Sequence, residues 1–176
     1  MSVVTMERRA GILVITLNRP KANAIDVATS LELYAAFKTL NDDPELRVGI
    51  ITSVGSAAHA DVLKTFKDSK LGFSIFVHDA RVQGEDSIAS VVAALQTMDS
   101  RKDLDVLMLV RGGGAKNDLI AFDSLQIATA IANCRLPVFT GIGHETDFSV
   151  ADEVAHQTHK TPTACATAII ELVRDF

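Results

Sequence analysis

Two glycine-containing segments carry side chains that suit phosphate chemistry. They are residues 111–114 (RGGG) and residues 141–147 (GIGHETD). Each follows an apolar run of the kind that forms a buried strand, and glycine at a strand end lets the backbone approach a ligand closely. Arginine binds phosphate oxygens through its planar fork, and histidine transfers protons near neutral pH. The two segments therefore predict one site for phosphate chemistry if the fold brings them together.

Hydrolysis of a phosphodiester needs a cation near the non-bridging oxygens, a base that activates water and an acid that protonates the leaving oxygen. Arg111, His144 and carboxylates such as Asp147 are the candidates for these roles. Each has a structural alternative: Arg111 as a surface residue before a turn, and His144 or Asp147 as the cap of the next helix. The candidate phosphate-binding groups are the N–H groups of Gly112, Gly113 and Gly114.

The elements that must position these residues alternate between strand and helix. Strands are predicted near residues 3–7, 11–17, 48–52, 73–77, 106–110 and 138–140, and helices near 27–41, 57–68, 87–100, 119–133, 149–156 and 163–173. This βαβα order predicts an α/β fold, a mainly parallel sheet with helices on both faces. We expect a single compact domain that begins with a β-hairpin and a β-α-β segment. Strands 11–17 and 48–52 should then lie parallel in one sheet, at its outer edge if strand 48–52 already has two neighbours.

Composition limits the classes of partner. The chain has 176 residues, 48% of them hydrophobic, and a net charge of −5. Residues 1–55 contain 6 basic and 6 acidic residues, which leaves 11 basic and 16 acidic residues in 56–176. This is the wrong sign for a chain that grips nucleic acid by itself, so any affinity for DNA must come from elsewhere. We find no membrane-length apolar run and no secretory signal, and we expect a cytoplasmic location.

The sequence does not indicate redox chemistry, and it leaves metal dependence open. Cys134 and Cys165 show no metal-ligand spacing, so we interpret them as reduced structural residues. His156 and His159 could share a helix face, but no matching cluster of carboxylates accompanies them. We assign no metal ligands and no certain cofactor, and leave a requirement for Mg²⁺ open.

From about residue 48 to its end, the chain resembles the catalytic region of the exonuclease VII large subunit, a bacterial enzyme that degrades single-stranded DNA. The resemblance rests on spaced motifs in the same order, at residues 50–53 with 57–63, 82–85, 105–114, 137–152 and 161–164. It implies hydrolysis of single-stranded DNA by Arg111, His144, Asp147 and Asp61. Asp61 is carried over from the family's helix after the first strand of this region, and its own sequence context favours a solvated helix position.

The resemblance also implies a larger assembly, with a nucleic-acid-binding OB-fold, a long helical region and exonuclease VII small subunits as partners. We expect the missing DNA-binding regions to supply affinity for single-stranded DNA. After RGGG the family continues with Ser, Leu, Glu, Asp, Leu and Trp, whereas this chain has Ala115, Lys116, Asn117, Asp118, Leu119 and Ile120. The lost Trp removes a stacking surface worth about 1 to 3 kcal/mol per base if that was its role, so weak or absent activity is one expectation.

Residues 1 to about 55 instead resemble the start of the crotonase (enoyl-CoA hydratase/isomerase) family. The likeness lies in residues 13–19, 20–26 and 42–52. We therefore predict a chimera, with a crotonase-like segment at 1–55 and an exonuclease VII-like core at 48–176 fused into one domain. The alternatives to a nuclease are a crotonase-type acyl-CoA enzyme and a catalytically silent recombinant.

Overall fold

The computed structural model describes residues 3–9, 12–18, 26–42, 46–113, 116–143 and 148–174. The chain divides into two compact units, residues 1–45 and residues 46–176. Within the described ranges, no helix is long and apolar enough to cross a membrane.

The first unit contains a β-hairpin and a helix. Strands β1 (Val4–Arg9) and β2 (Ile12–Leu17) pair antiparallel. Helix α1 (Val27–Asp42) follows, and the Asp26 carboxylate accepts a hydrogen bond from the Thr29 N–H at 2.8 Å. A side-chain oxygen that accepts from a first-turn N–H is the usual helix start. The predicted hairpin is confirmed, and Asp26 caps the helix that follows it.

The second unit is an α/β sandwich built on a parallel sheet. Its elements are β3 (Leu46–Thr52), α2 (Ala57–Asp68), β4 (Phe73–Asp79), α3 (Ser87–Asp99), β5 (Val106–Val110), a 3₁₀ helix (Lys116–Asp123), α4 (Leu125–Ala132), β6 (Val138–Gly141), α5 (Val150–Val154), β7 (Gln157–Thr158) and α6 (Pro162–Arg174). The five strands lie in the order β4-β3-β5-β6-β7, and each neighbouring pair is parallel. The predicted fold class is confirmed.

Alternating side chains of the central strands build a separate core on each face of the sheet. All five residues of β5 are buried, with Val106, Met108 and Val110 in one cluster and Leu107 and Leu109 in the other. Helices α2 and α6 cover the first cluster, and α3 and α4 cover the second. A strand buried on both faces reads as a continuous apolar run, which is why the sequence VLMLV predicts it so clearly.

The predicted β-α-β crossover at the start of the chain is wrong. Strand β2 pairs with β1 in a two-stranded sheet, whereas β3 belongs to the five-stranded sheet. Both edges of β3 are hydrogen-bonded, one to β4 and the other to β5, so β2 cannot pair with β3. Nor does β2 take the predicted place at the outer edge, where β4 is the last strand of the sheet. The predicted hairpin therefore forms without the parallel pairing.

Two other elements differ from the predictions. The single helix predicted over 119–133 is a 3₁₀ helix followed by α4, because Ser124 adopts an extended conformation and its side chain caps the Ile127 N–H. Helix α5 ends at Val154, two residues before the predicted end at His156, and the two-residue strand β7 follows it. Short strands of this kind carry no periodicity that a sequence could reveal.

Gly141, the last residue of β6, lies directly against the start of α6. A Cβ at this position would lie 3.0 Å from the Thr161 carbonyl oxygen, 3.2 Å from Pro162 Cα and 3.0 Å from Cys165 Cβ. Two of these atoms belong to the backbone, which cannot turn aside as a side chain can. The absence of a side chain thus sets how closely α6 approaches the sheet edge.

We predict that Gly141→Ala lowers the free energy of unfolding by about 1 to 3 kcal/mol through overpacking. Gly49→Ala should cost less, because the atoms it would meet at 2.8 to 3.0 Å are the ends of flexible side chains. Gly113→Ala is the control, with no atom within 4 Å, and should change stability by less than about 0.5 kcal/mol. Urea denaturation measures all three, and equal losses for Gly141→Ala and Gly113→Ala would contradict the packing argument.

Candidate functional site

The strand order creates a crevice at the carboxyl edge of the sheet. The chain leaves β3 toward α2 on one face and leaves β5 toward the 3₁₀ helix and α4 on the other. Where successive connections diverge to opposite faces, the strand ends lie open between them, and α/β proteins bind ligands at that point. The residues that follow these two strands are 53–56 and 111–113.

Arg111 lies at this point, immediately after β5, and is only 1% exposed. Its backbone N–H donates to the Gly141 carbonyl at 3.2 Å. With the Gln83 amide oxygen facing the guanidinium, Gln83 accepts from Arg111 Nε at 3.1 Å and from Nη2 at 3.0 Å. The alternative of a surface arginine is therefore wrong.

The glycines after Arg111 bring the backbone against the start of α2. A Cβ on Gly112 would lie 3.3 Å from Ala58 Cβ and 3.8 Å from the Ala58 nitrogen. Gly113 is exposed, and Gly114 lies outside the described residues. Ser56 caps α2 by accepting from the His59 N–H at 3.2 Å. Helix N-termini and exposed backbone N–H groups attract anions, so this contact joins two sources of positive potential.

Asp61 lies on α2, three residues after the alanine that touches Gly112. Its side chain is exposed, and its backbone carbonyl accepts from the Thr65 hydroxyl at 2.8 Å. Residues three apart on a helix are neighbours, so Asp61 belongs to the same edge of the sheet as Arg111. The structure agrees with the solvated position favoured by its sequence context.

His144 and Asp147 lie outside the described residues, but the chain on both sides of them is described. Gly143 has a left-handed φ of +83°, and a Cβ there would lie 3.7 Å from the Arg111 carbonyl oxygen. The chain thus enters residues 144–147 beside Arg111. The N-cap of α5 is Ser149, whose hydroxyl accepts from the Asp152 N–H at 3.2 Å. Ser149 therefore holds the capping position that was the structural alternative for His144 and Asp147.

Asp152 accepts four hydrogen bonds at the carboxyl end of β6, on the same edge of the sheet as Arg111. One carboxylate oxygen accepts from the Thr140 hydroxyl at 2.6 Å and from the Thr158 hydroxyl at 2.8 Å. The other accepts from the Ser149 hydroxyl at 2.7 Å and the Ser149 N–H at 3.1 Å. The sequence suggests an exposed helix position for Asp152, and that expectation is wrong because Asp152 ties β6, β7 and α5 together.

With this geometry in place, comparison with known proteins identifies the family. Residues 36–176 match the sequence model described as exonuclease VII, large subunit. The chain belongs to the exonuclease VII large subunit family. The match begins twelve residues before residue 48, within α1.

Curated relatives agree with the family match. The chain is 46% identical over 120 residues to the exodeoxyribonuclease 7 large subunit of Nitrosomonas eutropha, and this alignment covers 68% of the chain and 27% of the relative. It is 41% identical over 119 residues to the same subunit of Bordetella avium, with 68% of the chain and 26% of the relative covered. It is 37% identical over 144 residues to that of Sodalis glossinidius, with 80% of the chain and 31% of the relative covered. The chain thus spans between a quarter and a third of the length of these exonuclease VII relatives.

In this exonuclease VII family member, neither cysteine is suited to nucleophilic catalysis. Burial raises the pKa of the Cys165 thiol to about 12, and burial, with a smaller contribution from Asp99, raises that of Cys134 to about 11. The thiolate is the reactive form of cysteine, and it is scarce at neutral pH for both residues. Among the described residues, no three His, Cys, Asp or Glu side chains are grouped so that they could hold a metal ion.

His156 and His159 do not share a helix face, contrary to one expectation. They flank β7, and both rings lie near Phe139, with centroid distances of 5.5 Å and 6.2 Å. Burial lowers the pKa of His159, an effect larger than the opposing influence of Glu171. The pair packs on an aromatic ring instead of forming a metal site.

Sequence reasoning missed the contribution of Gln83, which was noted only as part of a family motif. Its position on the loop after β4 was the available signal, because that loop must also lie at the carboxyl edge of a parallel sheet. It also missed a contrast between two buried threonines at the same edge. Thr140 donates to Asp152, whereas the hydroxyl of Thr52 at the end of β3 has no hydrogen-bond partner within the described part of the chain.

This contrast predicts opposite responses to one substitution. Thr140→Val should lower the free energy of unfolding by about 1.5 to 3 kcal/mol, because it removes a hydrogen bond to a charged group. Thr52→Val should be neutral or stabilising, because it replaces an unsatisfied hydroxyl by an apolar group of the same shape. Both side chains are 0% exposed, so burial is matched. Chemical denaturation measures the difference, and similar losses in the two variants would contradict it.

The lowered pKa of His159 predicts a pH dependence of stability. Below its ordinary pKa of 6.5 the unfolded chain binds a proton that the folded chain takes up only at lower pH. Stability should therefore fall as pH decreases from about 6.5 through the folded-state pKa. His159→Phe keeps an aromatic ring against Phe139 and should remove this part of the slope. Unfolding curves at several pH values test this, and unchanged slopes in the variant would rule it out.

Proposed function

We propose that this chain carries an exonuclease VII-type catalytic core that hydrolyses phosphodiester bonds of single-stranded DNA. The observation that carries the proposal is the position of Arg111, buried at the divergence of β3 and β5 and beside the start of α2. Family membership supports the same conclusion, since the matched relatives are named exodeoxyribonucleases.

Arg111 is assigned to the non-bridging oxygens of the scissile phosphate. A planar guanidinium binds two such oxygens at once, and their negative charge increases as water attacks phosphorus. Gly112 and Gly113 present backbone N–H groups next to it. Because Arg111 is 1% exposed, contact with phosphate requires a local opening, which we assign to the substrate-binding step.

His144 is assigned to proton transfer. As a general base it removes a proton from the attacking water, and as an acid it returns one to the leaving oxygen, so phosphorus gains one oxygen bond and loses another. Asp147 is assigned to orienting the imidazole, and Asp61 to ordering water at the same edge. Such proton transfer typically accelerates a reaction by about 10² to 10⁴-fold. No step here is routed through a metal ion, and a requirement for Mg²⁺ is a matter for measurement.

The negative net charge of the chain implies that other protein regions contribute to DNA binding. A net charge of −5 provides no attraction for a polyanion, so the crevice supplies short-range contacts only. We propose that DNA-binding regions absent from this sequence and the exonuclease VII small subunit provide the remaining affinity.

We also propose a separate origin for the crotonase-like segment, residues 1–55. Two observations support it: the two units divide between Glu45 and Leu46, and β1 and β2 form their own sheet. The family match begins at residue 36, so the last twenty residues of this segment also fall within that match. We assign no acyl-CoA chemistry to this segment.

The test is degradation of end-labelled single-stranded DNA by the full chain, alone and with exonuclease VII small subunit, in Mg²⁺ and in EDTA. We expect His144→Ala to lower the rate by about 10² to 10⁴-fold. Arg111→Lys should lower it by about 10² to 10³-fold, because the charge remains but the fork is lost. His156→Ala is the matched histidine control and should keep the wild-type rate. The backbone N–H of His156 donates to the Val138 carbonyl at the start of β6, so this residue lies at the amino ends of the strands, away from the crevice.

Three results would contradict the proposal. Full activity in His144→Ala would remove that residue from the chemistry. No cleavage by wild type under any of the four conditions would favour the catalytically silent recombinant. Hydration of enoyl-CoA by the same samples would instead favour the crotonase alternative.

A further inference from the structure

We propose that Phe148 is a base-stacking residue that holds a nucleobase of single-stranded DNA beside the candidate site. Phe148 follows residues 144–147 directly and is 70% exposed. The choice of ligand rests on the proposed function, whereas the location rests on the surroundings of Phe148.

Phe148 differs from the other phenylalanines of the second unit. Those that the structure describes there are buried or half-buried, namely Phe66, Phe73, Phe76, Phe122 and Phe139. The hydrophobic effect favours removing such a ring from water, and in this part of the chain the two cores have taken up every other described phenylalanine. The ring of Phe148 is thus available to a ligand.

The backbone that carries this ring is held in place. Ser149, the next residue, is buried, and its hydroxyl and N–H donate to the Asp152 carboxylate at 2.7 Å and 3.1 Å. The N–H of Val150 donates to the Asp123 carboxylate at 3.0 Å, which ties the start of α5 to the 3₁₀ helix. An aromatic side chain on a held backbone loses little conformational freedom when it binds a ligand.

Phe148 lies beside the residues that are assigned to proton transfer. Phe148 and Gly143 line one small cavity, about 50 Å³ in volume, and they are the described residues on either side of 144–147. A Cβ on Gly143 would also lie 3.7 Å from the Arg111 carbonyl oxygen. A DNA strand whose phosphate reaches this part of the edge would therefore bring a neighbouring base to Phe148.

The surroundings of the ring suit a neutral, flat group better than a phosphate. Among the described residues, no lysine or arginine lines the cavity, and the charged side chains there are the carboxylates of Asp123 and Asp152. Most of the exposed large apolar side chains of the second unit belong to this part of the chain: Ile120, Leu125, Phe148, Val150 and Val154. Apolar surface that is concentrated in this way marks a binding site, and every base has an aromatic face that can stack.

The test compares the full chain with two variants at Phe148. Phe148→Leu keeps an apolar side chain but removes the ring, and Phe148→Trp enlarges the ring. Phe37→Leu is the matched control, because Phe37 is also exposed but lies on α1 in the first unit. Unfolding curves establish that each variant is folded.

Two single strands serve as probes: a fluorescent oligothymidylate and an abasic strand of the same length, which carries the same phosphates but no bases. Fluorescence anisotropy at several salt concentrations gives the dissociation constants. NMR follows the ring resonances of Phe148 during titration with each strand, with Phe148→Leu used to assign them.

We expect Phe148→Leu to weaken oligothymidylate binding by about 5- to 100-fold, because base stacking is lost. Its affinity for the abasic strand and its salt slope should match those of wild type, since no phosphate contact is removed. Phe148→Trp should bind oligothymidylate at least as tightly as wild type, and Phe37→Leu should match wild type. The Phe148 ring resonances should shift upfield with oligothymidylate and stay in place with the abasic strand.

Equal losses for both strands in Phe148→Leu would overturn the proposal, because the residue would then act through the fold and not by stacking on a base. Unchanged oligothymidylate affinity in that variant would also overturn it, as would a wild-type chain that binds neither strand or binds both equally. Loss of exonuclease VII small subunit binding in Phe148→Leu, with DNA affinity unchanged, would assign the surface to a protein partner instead.

The cleavage assay separates this inference from the proposed function. Cleavage that depends on His144, without a selective effect of Phe148→Leu on oligothymidylate, would overturn base stacking alone. A selective effect of Phe148→Leu, without cleavage by wild type, would support base stacking and contradict the proposed function.

Discussion

The position of β3 between β4 and β5 is the constraint on which the rest of the second unit depends. A strand with neighbours on both sides sends its own connection to one face, while the connection after β5 goes to the other. The carboxyl ends of β3 and β5 therefore lie where the two connections diverge, between α2 and the 3₁₀ helix. The same placement leaves β2 no position beside β3, and the hairpin forms its own two-stranded sheet.

The edge so formed holds polar groups in two different ways. At Asp152, four donors from three residues satisfy a carboxylate, and the result is a rigid junction of β6, β7 and α5. At Arg111, a cation is buried against a neutral amide. Buried polar groups are normally hydrogen-bonded, and both places follow that rule, the first with donors to an anion and the second with an acceptor for a cation.

Much of this could be predicted from the sequence, and the successes share one physical basis. A strand that is buried on both faces, such as VLMLV, is recognisable in the sequence as a continuous run of apolar residues. Asp26 marks the start of α1, because its side chain can accept a hydrogen bond from a first-turn N–H. The order of the strands along the chain then places the RGGG segment at a binding edge. Where the pattern is local and repeated, the sequence is sufficient.

The misses depend on tertiary contacts that no local pattern encodes. β7 is too short for any periodicity, and the junction at Asp152 requires three segments to meet. The burial of Arg111 could not be predicted because an arginine before glycines looks like a surface turn until the neighbouring strand ends are placed. Gln83 was visible in sequence and its location followed from the fold, but its pairing with Arg111 joins residues 28 positions apart.

The electrostatics of the chain and of the crevice act at different ranges, and this determines how the site can work. At physiological salt the Debye length is about 8 Å, so the net charge of −5 influences the approach of DNA only weakly beyond that distance. Inside the crevice, the N-terminus of α2 and the guanidinium of Arg111 act over a few ångströms, where water is scarce and screening is poor. An acidic chain can thus stabilise a phosphate that is delivered to it. Under the proposed function, capture of the strand and chemistry on it are then separate tasks, and the residues of this crevice are assigned to the second.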